Sequence, residues 1–144
     1  MRVYADSSFL VSCYLVDSNT SRAKAFLLKH QAPLPFTSLH DLEVRNALRL
    51  GVFRQLLTEQ QAREASNTID GDLRSGRLVR TVVKWPAVFR LASRLSAEHS
   101  ATTGTRSLDI LHVATARAVR CAQFASFDAR QQTLAAAAGL TSAL

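Results

Sequence analysis

Asp6 closes the stretch VYADSSFL, in which three residues suited to a core give way to a bare carboxylate followed by two hydroxyls, Ser7 and Ser8. The same form returns in QFASFD, where Asp128 follows the short apolar run at 123–127. Two more acids fall early in helical patterns: Glu43 in SLHDLEVRNAL and Asp109 in RSLDILHVATA. Each has an ordinary explanation by itself. Asp6 can cap the helix after it, and Asp128 can do the same with Gln131 as return partner. Asp109 can simply favour the positive end of its helix, and Glu43 can be a solvated helix residue. Together they are harder to explain by stability. Two like charges about 4 Å apart repel by about 4 kcal/mol at an effective dielectric of 20, against about 5–15 kcal/mol for a whole domain. Gathered carboxylates are therefore protonated or neutralised by a cation. Oxygen-only donors favour Mg²⁺ or Mn²⁺.

The elements that must position these acids alternate between short apolar runs and helical patterns. Residues 2–5, 34–37, 77–83 and 123–127 read as strands, with a weaker candidate at 140–144. Helices are expected over 8–16 and 20–30, from a capping box of Ser38 and Asp41 up to Gly51, and from Thr58 with Gln61. In that last helix Ala62, Ala65, Ile69 and Leu73 form one stripe. Pro86 suits a first helical turn, followed by Val88, Leu91, Ala92 and Leu95 at i, i+3, i+4, i+7. Residues 107–120 form the most apolar helix, and helix resumes after Asp128. This alternation implies an α/β fold: a parallel sheet covered by helices, with right-handed crossovers. Ligands of such sheets bind outside the carboxyl ends of the strands, where residues 6, 43, 109 and 128 would meet.

The totals constrain the setting. A chain of 144 residues is expected to be one domain, 1–144. No apolar run approaches the roughly 20 residues that span a bilayer. Asp6 interrupts any secretory signal before it starts, so a cytoplasmic location without membrane is expected. Cys13 and Cys121 form no CxxC, and His30, His40, His99 and His112 never pair at zinc spacing. The net charge is +7, and 15 of the 18 basic residues are Arg, whose planar fork suits phosphate. A solvated Arg-rich surface fits that composition equally well.

The order and spacing of VYADSSFL, SLHDLEVRNAL, RSLDILHVATA and FASFDARQQTLAAAAGL resemble those of PIN-domain nucleases, in particular VapC-type toxin ribonucleases. The resemblance covers nearly the whole chain. It implies a three-layer fold with a four- or five-stranded parallel sheet between helices. It also implies an acidic pocket for Mg²⁺ or Mn²⁺, endonucleolytic cleavage of RNA, a homodimer and inhibition by a cognate antitoxin. By matching motifs, Asp6, Glu43, Asp109 and Asp128 become the catalytic, metal-holding residues. Ser7 and Ser126 stand where the family often has Thr or Ser and would orient ligands or water. Asn46, one turn after Glu43, is expected to orient that carboxylate. Arg45 and Arg49 on the same helix, with Arg106 and Arg130 beside Asp109 and Asp128, are expected to hold the RNA backbone. The final LTSAL is poor in β-branched residues, which leaves the fifth strand open.

Other α/β phosphate chemistries fit less well. A phosphatase of the haloacid-dehalogenase type wants Asp-x-Asp at the first strand end, where this chain has Asp6, Ser7, Ser8. Neither GxGxxG nor GxxxxGK[ST] occurs. The remaining rival is a catalytically silent domain of the same fold, kept to bind RNA or a partner protein.

Overall fold

A computed structural model describes residues 2–144. Five short strands and seven helices run in the order β1 (Val3–Ala5), α1 (Ser7–Tyr14), α2 (Thr20–Lys29), β2 (Leu34–Phe36), α3 (Ser38–Phe53), α4 (Glu59–Ser75), β3 (Leu78–Arg80), α5 (Trp85–Thr103), α6 (Ser107–Ala118), β4 (Gln123–Ala125), α7 (Ala129–Ala137) and β5 (Thr141–Ser142). Every strand pair is parallel, as the alternation requires. Among the described residues no helix is long and apolar enough to cross a membrane. The chain divides into two compact units: the N-terminal segment through Asp6 with Val82–Leu144, and Ser7–Thr81.

The first unit holds β1, β4 and β5 in that spatial order. Val3, Tyr4 and Ala5 face Gln123, Phe124 and Ala125, so Asp6 and Ser126 leave the ladder side by side. The ladder goes one step further, with the Asp6 amide donating to the Ala125 carbonyl at 3.0 Å. The uncertain last strand does form, but only over two residues beside β4. Helix α6 is buried without interruption from Ile110 to Ala116, which explains why its sequence is apolar nearly all round. Its one buried imidazole, His112, bonds to the Tyr4 hydroxyl at 2.8 Å, and Tyr4 stacks on Phe124. Helix α5 has Pro in its first turn and ends at Gly104 in the left-handed region, φ +64°.

The second unit pairs β2 with β3 and packs α1 to α4 around them. The Thr58–Gln61 capping box opens α4 as expected. The box at α3 is one residue earlier than the sequence suggests: Thr37 is the cap and the buried His40 is its return partner, not Ser38 and Asp41. An imidazole nitrogen accepts the Thr37 amide as a Glu or Gln oxygen would. Gly51 does not stop α3, which continues to Phe53. The chain instead folds back onto Gly51, whose carbonyl takes the amides of Leu56 and Leu57. A Cβ at that position would stand 2.8 Å from Leu57 Cδ1, so the glycine provides room for the turn.

Candidate acidic site

In the first unit, the parallel ladder sets Asp6 beside the β4–α7 connection. Asp6 is 3% exposed, and its Oδ2 accepts from the Ser126 hydroxyl at 2.9 Å. Ser126 is itself fully buried and also contacts Gln131 Oε1 at 2.8 Å and the Asp128 amide at 3.1 Å. Gln131 then reaches across to α6, its Nε2 donating to the Asp109 backbone carbonyl at 3.2 Å. One buried hydroxyl and one buried amide therefore connect the segments carrying Asp6, Asp109 and Asp128. Gln131 is the functional candidate that the motifs did not supply. Its signal lies in its position: it shares the buried face of α7 with Leu134 and Ala135, where an apolar residue is the norm.

Asp128 is the N-cap of α7, and its Oδ1 accepts the amides of Arg130 and Gln131 at 2.8 and 3.0 Å. The capping explanation is thus correct for Asp128, although Gln131 returns to Ser126 and not to the cap. Asp109 stands in the first turn of α6, with its Oδ2 in an ion pair with Arg106 at 3.0 Å. That bond, followed by the charges of Asp109 and Asp128, makes the Arg106 guanidinium hold its proton more tightly than usual. Both carboxylates line a cavity of about 200 Å³ with Gly104, Thr105, Arg106 and Arg130.

Glu43 belongs to the second unit, where its Oε1 accepts from the buried Ser7 hydroxyl at 3.3 Å. Asn46 and Arg49 are exposed on the same helix. Arg45 is occupied: it pairs with Asp41 at 2.8 Å and with Asp70 at 2.6 Å, and bonds to Ser66, tying α3 to α4. These neighbours occupy its guanidinium.

Among the described residues, no three His, Cys, Asp or Glu side chains stand close enough to hold an ion between them. The donor chemistry still fits a magnesium-like ion, which keeps several waters and takes only one or two carboxylates. Asp109 and Asp128 each engage one carboxylate oxygen in these bonds, and both residues line the shared cavity.

The sequence profile of the PIN domain matches residues 3–137. The chain belongs to the PIN-domain family. Its fold is similar to that in the crystal structure of FitAcB from Neisseria gonorrhoeae, with a TM-score of 0.62 and 16% identity, covering 97% of this chain and 95% of that one. No curated protein matches the sequence. PIN domains are generally nucleases that use divalent metals, which agrees with a carboxylate-lined cavity flanked by arginines.

Proposed function

We propose that this PIN domain is a Mg²⁺- or Mn²⁺-dependent endoribonuclease. It would be the toxin of a type II toxin–antitoxin pair of the VapC kind, acting in the cytoplasm as a homodimer. The observation that carries this reading is the cavity shared by Asp109 and Asp128, with Asp6 linked to their segments through Ser126 and Gln131. Asp109 and Asp128 would hold the ion, joined by Asp6 and by Glu43 from the motif resemblance. When bound, the ion lowers the pKa of a water and polarises a phosphoryl oxygen.

The chain's own residues supply the rest. Arg106 and Arg130, which line the cavity, present guanidinium groups to the phosphates of a single strand, and Arg49, exposed on α3, is a further candidate phosphate contact. A carboxylate oxygen not engaged with the ion accepts a proton of the attacking water and orients it. Ser126 holds the Asp6 carboxylate and the Asp128 amide, and Gln131 holds the Asp109 backbone carbonyl, which limits the geometry to be found on binding. Water attacks in line and the 3′-oxygen leaves, giving 5′-phosphate and 3′-hydroxyl ends. An antitoxin would silence the site by inserting an Arg or Lys among these acids.

A second reading has its own observation. Asp109 is neutralised internally by Arg106, and no three-acid cluster is assembled among the described residues, as in a PIN domain that binds RNA without cutting it. Cleavage of total RNA with Mg²⁺, with EDTA and by an Asp109→Asn variant separates the two. The nuclease reading expects cuts that need the ion and vanish in the variant. RNA binding with no cleavage supports the silent domain. Cyclic-phosphate ends, or full activity in EDTA, overturn the mechanism. Mapping the ends in cells, with and without a co-expressed candidate antitoxin, would identify the target RNA and test the antitoxin.

A further inference from the structure

A second cavity, about 570 Å³, lies wholly within the Ser7–Thr81 unit, and the nuclease reading makes no use of it. Its size falls within the range of small-molecule sites, about 300–1,000 Å³. Leu10 from α1, Leu27 and Leu28 from α2, and Leu34 and Leu78 at the starts of β2 and β3 make its walls apolar.

Its polar groups, which include Tyr14 and Gln31 beside the charged residues, are unequally satisfied. Asp72 is spoken for: one oxygen takes the Tyr14 hydroxyl at 2.7 Å and the other faces Arg77 at 3.5 Å. Lys24 lines the same cavity and makes no ion pair among the described residues. With Lys24 and Arg77 against Asp72, the cavity carries one positive charge in excess. His30 adds the decisive feature. Its ring is stacked on Phe26 at 5.1 Å, and Phe26 is held edge-on by Phe9, so the imidazole is fixed in place. Its Nε2 is buried without a hydrogen-bond partner among the described residues. A buried polar atom left unpaired loses its hydration with nothing in return, which marks a missing partner.

We infer that this cavity binds an amphipathic monocarboxylate, with an aliphatic body among the leucines and an anionic head answered by Lys24 and His30 Nε2. The head supplies the bond that the imidazole lacks and cancels the surplus charge. The body covers apolar wall that water leaves poorly satisfied. The inference is independent of the nuclease reading, since every residue it uses lies outside the acidic site.

The probe is decanoate, kept below its micelle concentration, with decanol as the neutral control, followed by calorimetry and by amide chemical shifts. Saturable decanoate binding is expected with a Kd below about 1 mM. Shifts should centre on α1, α2 and the starts of β2 and β3. Lys24→Glu, a change at an exposed position, should weaken decanoate by about fivefold to tenfold and leave decanol unchanged. Leu27→Trp should fill the cavity and abolish both. Equal binding of decanoate by the native and Lys24→Glu proteins overturns the assignment of the head. Absence of saturation, or shifts mapping elsewhere, overturns the site and leaves water as the partner of His30.

Discussion

Ser126 has one hydroxyl proton and faces two acceptors, Asp6 Oδ2 and Gln131 Oε1, while taking the Asp128 amide. A single proton serves one acceptor at a time, so Asp6 and Gln131 share the same donor. Asp128 also has two tasks, capping α7 and facing the cavity, and they can be separated. Asn caps as well as Asp but carries no charge. Asp128→Asn should therefore keep native stability and lose Mg²⁺-dependent cleavage. Asp128→Ala should lose cleavage and about 1 kcal/mol of stability as well. Urea melts beside RNA cleavage assays check both. Equal activity of Asp128→Asn and the native protein would leave Asp128 as a cap alone.

A pH effect belongs to two other side chains. Burial pushes the Cys13 thiol up to about 12, with smaller contributions from the charges of Asp72 and Asp17. Burial, then its bond to Asp72, raises the Tyr14 hydroxyl in the same direction. The folded chain thus keeps protons that the unfolded chain releases. The thiol's contribution is fully present below its ordinary value of 9.0 and is lost as pH climbs from there towards about 12, and that of Tyr14 begins to be lost only above 10.0. The urea midpoint should fall between about pH 8 and pH 10, and Cys13 should resist alkylation in the native state at about pH 8. A flat midpoint across that interval, together with fast alkylation, would contradict this.

At the scale of elements, Arg45 joins two helices through Asp41, Asp70 and Ser66. Arg45→Met keeps the stem and removes the fork, leaving two acids near each other without their cation. A loss of about 1–2 kcal/mol is expected, at the low end for charged hydrogen bonds because both carboxylates are partly exposed. The salt dependence of RNA binding should stay the same, whereas Arg106→Ala and Arg130→Ala should each lower its slope by about 0.7. A lower slope for Arg45→Met would return that residue to the RNA face. The sequence pattern shows Arg45 only as a basic residue one turn before Arg49. Its partners on α4 come from tertiary packing, which no local period encodes. The same limit applies to Gln131, whose bonds span β4 and α6. What is local was legible: the strand-then-Asp form at Asp6 and Asp128, the Thr58–Gln61 cap and the central helix around Asp109. The Thr37–His40 cap was missed because histidine imitates a glutamine there.

At the scale of the whole molecule, the proposed homodimer needs a surface, and the second unit offers exposed apolar side chains for one. Leu42, Phe53 and Leu56, on α3 and just beyond it, are 66%, 83% and 75% exposed. Several large apolar side chains exposed along one segment mark a contact site more often than a single exposed leucine does. A twofold dimer would set this patch against its own copy, bringing Arg49 and Arg54 towards their equivalents. That arrangement gives opposite salt responses. Added salt screens like charges and strengthens the dimer, while it weakens RNA binding by restoring counterions. Phe53→Lys puts a charge on the most exposed of these apolar side chains and removes no buried contact of the protomer. The variant should run at half the native mass in light scattering with an unchanged circular dichroism spectrum. It should keep the Mg²⁺-dependent cleavage of each protomer if Asp6, Asp109 and Asp128 work within one chain. A native protein that is monomeric at its highest soluble concentration in high salt would sink the dimer. A monomeric Phe53→Lys variant without cleavage would instead show that the site is completed by its copy.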